Sequence, residues 1–220
     1  MTLWTPALAA AFEAAVIAPR VSLVVRPDDP AAALLRLGVG ALAAALPPVA
    51  RTLAAPLVGV LEKRAEGVSV TVPAFLPGAL PVVALSRAAV ADPVTTSCTL
   101  THEVSHAGQI GRAGDVQAVA DYLNGELRAQ READAAAAGR WMRFVLTGEM
   151  PDAVPLSDLY CLDAGDAALA VALMRSHVET MRAGLVPPIG SCVAAARWLR
   201  ASPLVPDEIR ARVPALPEGA

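Results

Sequence analysis

Apolar segments separated by proline-rich breaks fill the first part of the chain, and their spacing predicts helices. Thr5 followed by Pro6 is typical of a helix start, and the apolar run after it predicts a helix to about Ile17. Two further helices are predicted at about 31–46 and 49–65, with a Pro-Pro pair between them. Apolar positions nearly encircle these helices, so at least one should be buried on most sides or packed against a partner.

The pattern changes after residue 67. Valine alternates with serine and threonine from 68 to 72, and this period of two predicts a strand with one buried face. A second short apolar run at 82–86 predicts a neighbouring strand. The two runs predict a β-hairpin or small sheet. An edge strand of this kind can hold an extended peptide by β-augmentation, and a purely structural hairpin is the alternative.

Further helices are predicted in the rest of the chain from capping residues, apolar spacing and glycine or proline stops. The first starts at Asp92-Pro93 or Thr95-Thr96 and finishes near 108–114. The others are expected at about 116–146, from Asp163 or Asp166 to 183, and at 190–200. The tail beyond Ser202 is rich in proline and is expected to be loosely held. These elements predict an α+β fold that is mainly helical.

Composition supports closely packed helices. Hydrophobic residues make up 55% of the chain but aromatic residues only 4%, so most of the apolar content is Ala, Val and Leu. Alanine favours helices, and its small side chain lets helix backbones approach one another. A net charge of −3 gives no electrostatic reason to expect a nucleic-acid partner. Three cysteines without a Cys-x-x-Cys pair suggest small buried residues in a reducing compartment.

The 220 residues suggest three regions that together form one compact domain. These are an N-terminal helical region at 1–66, a core at 67–150, and C-terminal helices with the proline-rich tail at 151–220. The N-terminus resembles no normal signal peptide, and no membrane span is predicted, so the expected location is cytoplasmic or virion-associated. The positive mean hydropathy of +0.49 would be explained by an oligomer or assembly formed through the apolar N-terminal helices.

The chemistry of the chain is concentrated in His102-Glu103-Val104-Ser105-His106. On a helix, His102 and His106 lie about 40° apart around the axis, so both imidazoles can bind one metal ion. Glu103 leans toward the same side, where its carboxylate can take a proton from water. The chain has only three histidines, which makes a chance occurrence of the pattern improbable. We therefore expect a zinc-dependent hydrolase.

A catalytic zinc ion needs a third protein ligand. The third histidine that would extend the pattern after His106 is absent, so a carboxylate of the following helix is expected to complete the site. Glu132 and Glu126 are the alternatives, and they lie about 240° apart around a helix, so both cannot face one ion unless the helix breaks. Small residues surround Glu132, whereas charged residues surround Glu126. Cys98, Asp121 and Asp134 are more remote candidates for a metal ligand.

The motif with Gln109, the glycine-containing linker, Tyr122 and Glu132-Ala133-Asp134 resembles the minimal zinc peptidases of the gluzincin type. Relatives of this type occur among phage, mobile-element and contractile-injection-system proteins, and some cleave phage-type repressors. The resemblance covers about residues 82–145. It implies a zincin-like core in which His102, His106 and Glu132 bind Zn²⁺ and Glu103 is the general base. A peptide or protein would be the substrate.

Further residues are candidates for supporting roles in the same site. His177 is a candidate for stabilising the oxyanion of the reaction, and Tyr122 and Tyr160 are similar candidates whose alternative role is core packing. Asp115, Asp121 and Asp134 are candidates for orienting the metal-binding histidines. Two other functions stay open. The chain could be a structural component of an assembly, viral or phage-tail, that keeps a zincin fold with little activity, or a metal-free helical interaction module.

Overall fold

In the computed structural model, the described residues are 3–25, 69–72, 80–85, 88–109, 127–150 and 164–216. Their strands are β1 (Ser22–Val25), β2 (Val70–Val72) and β3 (Val82–Leu85). Their α-helices are α1 (Pro6–Phe12), α2 (Pro93–Gln109), α3 (Arg128–Thr147), α4 (Ala164–Arg182), α5 (Gly190–Ala201) and α6 (Asp207–Arg210). A π-helical turn at Glu13–Ile17 continues α1, and a 3-10 turn at Ala88–Val90 precedes α2. The predicted α+β, mainly helical class is confirmed.

Capping residues explain where α1 and α2 begin. The Thr5 hydroxyl accepts a hydrogen bond from the backbone of Leu8 at 3.3 Å, and Pro6 takes the first helical position, where no N–H is needed. The Asp92 carboxylate accepts from the backbone N–H groups of Val94 and Thr95, each at 2.9 Å. These bonds satisfy donors that the first turn of a helix leaves unpaired. Both starts agree with the sequence prediction.

The three described strands form one mixed sheet in the order β1-β3-β2. β2 and β3 are antiparallel with Thr71 opposite Val83, which confirms the predicted pairing of these strands. β1 joins the other side of β3 in parallel, with Leu23 opposite Val83. This strand was not predicted, because a four-residue run after a helix has no alternation to distinguish it. β2 lies at one edge of the sheet and packs on α2.

The N-terminal segment packs into the same core as the C-terminal helices. The indole of Trp4 is almost fully buried and donates to the Ser97 hydroxyl of α2 at 3.0 Å. Trp4, Phe12 and Trp198 contact one another edge to face, with ring centroids 5.5 to 6.4 Å apart. The three rings therefore join α1 to α5 beside the start of α2.

The prediction of a loosely held tail was wrong, because residues 202–216 pack into the core of the protein. Val205, Ile209 and Val213 are buried in the hydrophobic core. The Arg212 side chain donates to the backbone carbonyl of Leu146 at the end of α3, at 3.1 Å. The proline content does not indicate a loose segment here, because Pro203 lies in a turn and Pro206 directly precedes α6.

Several predictions fall outside the described residues. These are the helices at 31–46 and 49–65, the first part of the helix at 116–146, and the boundary between the first two regions at residue 66. The described helices 164–182 and 190–201 match their predicted positions closely. Among the described residues, no helix is both long enough and apolar enough to cross a membrane.

α2 and α3 pack very closely because small residues line α3 where the two helices meet. Ala135 and Ala136, which share the face of α3 that carries Glu132 and Gly139, are 0% and 6% exposed. A Cβ atom added at Gly139 would lie 3.1 Å from the Cys98 carbonyl oxygen and 3.4 Å from the Cβ of His102. The backbone of α3 therefore lies almost against α2, one turn from the first histidine of the motif.

We expect Gly139→Leu to lower the free energy of unfolding by about 1–3 kcal/mol, because the added atoms would force α2 away from α3. Gly190→Leu is the matched control, since a Cβ atom there meets nothing within 4 Å. Urea denaturation of both variants and of the wild type measures the difference. Equal stabilities of the two variants would contradict the close packing of these helices.

Candidate metal centre

His102, His106 and Glu132 come together between α2 and α3. The Nε2 atoms of the two histidines are 3.1 Å apart, and Nε2 of His106 lies 3.7 Å from Oε2 of Glu132. One ligand atom from each of the three residues lies within 4.8 Å of the other two. The four-residue spacing on α2 places the histidines side by side, and the close approach of α3 brings the carboxylate to them.

The spacing of these atoms suits one divalent ion. Bonds of about 2.0–2.1 Å at tetrahedral angles hold zinc ligands about 3.3 Å from one another. Two of the three observed separations, 3.1 and 3.7 Å, bracket that value, and all three ligand atoms lie within 4.8 Å of one another. Two imidazoles and one carboxylate are also a known ligand set of catalytic zinc sites, and a fourth position is left for water or substrate.

The protein environment keeps His102 in the form that binds metal. Burial of the ring, together with the nearby His106, lowers the pKa of His102 to about 3. The backbone of Ala135 acts in the opposite direction. A neutral imidazole has a ring lone pair available for a metal ion, and the Nε2 atom of His102 is the one that faces His106.

Glu103 is buried next to these residues, with only 4% of its surface exposed. The hydroxyl of Thr71 on β2 lies 2.7 Å from its Oε2 atom and 2.9 Å from its backbone carbonyl oxygen. Burial raises the pKa of Glu103, while His106 and the Thr71 hydrogen bond lower it and Glu132 raises it further. A carboxylate with a raised pKa can accept a proton and release it again, which is what a general base needs.

His177 lies away from the three grouped residues. Its Nε2 atom is 2.8 Å from Oδ1 of Asp134, and the same oxygen accepts a hydrogen bond from Gln130 at 2.9 Å. Asp134 follows Glu132 by two positions, so the two carboxylates project about 200° apart around α3. The Asp134–His177 pair therefore joins α3 to α4 on another side of α3, and the oxyanion role predicted for His177 gains no support from this geometry.

The remaining candidates do not join the group among the described residues. Burial raises the pKa of the Cys98 thiol to about 12, so the thiolate that binds metals is disfavoured. Cys192 is fully buried, as expected for a small apolar residue, whereas Cys161 lies outside the described residues. The other candidates outside the described residues are Asp115, Asp121, Tyr122, Glu126 and Tyr160.

Two residues at the site were not assigned a role from sequence. Thr71 occupies a polar position of the alternating strand, and such a position is usually expected to face solvent. It is instead 9% exposed and bonded to Glu103. Gln109 contacts both His106 and the backbone of α3. Its position three residues after His106, on the same face of α2, was the available signal.

Comparison with known proteins gives no family for this chain. No protein-family model, curated protein or solved structure matches it. The arrangement of His102, Glu103, His106 and Glu132 is therefore the basis for assigning a function.

Proposed function

We propose that the protein is a zinc-dependent peptidase. The observation that carries the proposal is the convergence of His102, His106 and Glu132 on one point, with the buried carboxylate of Glu103 beside it. In this proposal the three grouped residues bind Zn²⁺, and the core around α2 and α3 is of the zincin type.

A bound Zn²⁺ ion would act as a Lewis acid, lowering the pKa of water and favouring negative charge on the substrate carbonyl oxygen. Glu103 would accept the proton of the attacking water and pass it to the leaving amine. Its burial keeps bulk water from competing for that proton. Thr71 would hold the Glu103 carboxylate in place, so that proton transfer needs no large rotation of the side chain.

An extended peptide is the substrate that best suits the surroundings. β2 is an edge strand of the described sheet, and it contacts α2 through Thr71 and Glu103. A peptide that pairs with the outer edge of β2, where no other described strand lies, would pass close to Glu103, and hydrogen bonds between backbones would position it with little regard to its sequence. We therefore propose that the scissile peptide bond is presented in extended form along β2.

The first test is the metal itself. Protein purified without chelators is expected to contain zinc in a 1:1 ratio to the chain, by elemental analysis. The same donor set also occurs in iron enzymes, so the analysis must count iron as well. Zinc-free protein that takes up no added zinc, or protein that contains iron instead, would contradict the proposed centre.

The second test is hydrolysis. We expect the zinc-loaded protein to cleave members of a peptide library of random sequence, to lose this activity on dialysis against a chelator, and to regain it when zinc is restored. New amino termini, measured by mass spectrometry, report the cleaved bonds. A protein that keeps its zinc and cleaves nothing in the library would overturn the peptidase proposal and leave a structural use of the centre.

A further inference from the structure

The Gln109 side chain connects the second histidine of the metal centre to the neighbouring helix. Its Oε1 atom lies 3.1 Å from Nδ1 of His106, and its Nε2 atom donates to the backbone carbonyl of Arg131 at 3.0 Å. Gln109 is the last residue of α2, and Arg131 directly precedes Glu132 in α3. One amide therefore touches both helices at the level of the metal ligands.

The orientation of this amide follows from what each atom can do. The carbonyl oxygen of Arg131 can only accept a hydrogen bond, so the NH₂ group of Gln109 must face it. The amide oxygen then faces His106, and it can only accept as well. Nδ1 of His106 must therefore carry the proton, and in the neutral ring Nε2 is left with a lone pair.

We propose that Gln109 is a positioning residue that fixes the tautomer of His106 with its proton on Nδ1, before any metal ion binds. This inference deepens the metal centre of the proposed function and rests on it. Histidines that bind metal commonly donate their other ring nitrogen to an oxygen, and this contact orients the ring. Here the acceptor is an amide that is itself held by α3.

The same contact sets the position of α3 against His106. Arg131 and Ala135 lie one turn apart on α3, on either side of Glu132 in sequence. The backbone of Arg131 holds His106 through Gln109, and the backbone of Ala135 bonds to His102. Each histidine is thus oriented by the helix that supplies the third ligand, so the three ligand atoms are brought together as a unit.

The first experiment reads the tautomer directly in metal-free protein. The ¹⁵N shifts of ring nitrogens separate a protonated nitrogen from a bare one, and the chain has only three histidines. Spectra are recorded at alkaline pH, where free imidazole is neutral. His177→Gln and His106→Ala assign the signals. We expect His106 to carry its proton on Nδ1, and a proton on Nε2 would overturn the inference without any need for a variant to fold.

The second experiment separates the two contacts of Gln109. Gln109→Met removes both, so we expect the His106 proton to distribute over both nitrogens and the Kd for Zn²⁺ to rise about 10–100-fold. Gln109→Glu keeps an acceptor for Nδ1, so we expect the tautomer to be retained and zinc affinity to be closer to that of the wild type. Gln130→Met is the matched control, because Gln130 bonds to Asp134 and not to a metal-site histidine.

The outcomes distinguish this inference from the proposed function. If Gln109→Met leaves both the tautomer and the zinc affinity unchanged, Gln109 has no positioning role, and the metal centre can still stand. If the wild-type protein binds no zinc, the proposed function fails, and the tautomer still decides whether Gln109 orients His106. An equal loss of zinc affinity in Gln130→Met and Gln109→Met would also overturn the inference. The loss would then follow from any Gln→Met change on these helices and not from the contact with His106.

Discussion

Replacing Glu103 by Gln is expected to reduce peptide hydrolysis by about 10²–10⁴-fold, the usual contribution of a general base. Glutamine has nearly the same shape, and its amide oxygen can still accept the hydrogen bond of the Thr71 hydroxyl. It cannot accept a proton from water. Zinc content should stay at the wild-type value, because Glu103 is not among the grouped ligands. Initial rates on a cleaved library peptide and elemental analysis of the same sample measure both quantities.

Glu149→Gln is the matched control for this variant. Glu149 is exposed and pairs with Arg143 at 3.2 Å, so the same chemical change there should alter neither rate nor zinc content. If Glu103→Gln kept full activity with its zinc bound, Glu103 could not be the general base. If it lost zinc together with activity, the rate would report on the metal and not on proton transfer.

Glu132→Ala is expected to weaken zinc binding by more than the factor of about 10–100 that is typical when an outer partner of a ligand is lost. The reason is that only two protein ligands, both on α2, would remain. Competition with a chromophoric chelator measures the Kd. Folding should be preserved, since the side chain of Glu132 is partly exposed and alanine favours helix.

Asp134→Ala is the control on the same helix, because Asp134 pairs with His177 and lies outside the ligand group. Glu126→Ala tests the alternative ligand that the sequence left open. We expect both variants to bind zinc nearly as tightly as the wild type. Tight binding by Glu132→Ala together with weak binding by Glu126→Ala would assign the third ligand to Glu126.

The arrangement of the motif residues on α2 was predictable from the sequence because all of them lie on one helix. His102, Glu103 and His106 lie within one and a half turns of a helix, and helix periodicity fixes their relative directions whatever the rest of the chain does. For the third ligand the sequence offers two residues, and the small side chains around Glu132 favour it over Glu126. The structure brings Glu132 to the histidines, and Gly139 and the buried alanines explain how α3 comes so close.

Contacts between distant segments were the part that sequence did not predict. Thr71 is 32 positions from Glu103 in the sequence. The alternating pattern of a strand does not predict which helix will cover the polar face of that strand. The parallel strand β1 depends on a pairing across about 60 residues, from Ser22 to Val82. Gln109 belongs to the sequence motif, but its contact with the Arg131 carbonyl depends on how another helix packs. Such contacts depend on how the helices and strands pack, and the spacing of apolar residues along the chain does not predict them.

The burial of Val205, Ile209 and Val213 affects folding during synthesis as well as the stability of the finished protein. During synthesis the motif helix leaves the ribosome about a hundred residues before these side chains are available. Until then the apolar surface of α3 and α5 that they cover has no partner, and exposed surface of this kind promotes aggregation. A fragment that ends soon after α3 would contain every proposed ligand, yet it would lack the residues that complete the core around them.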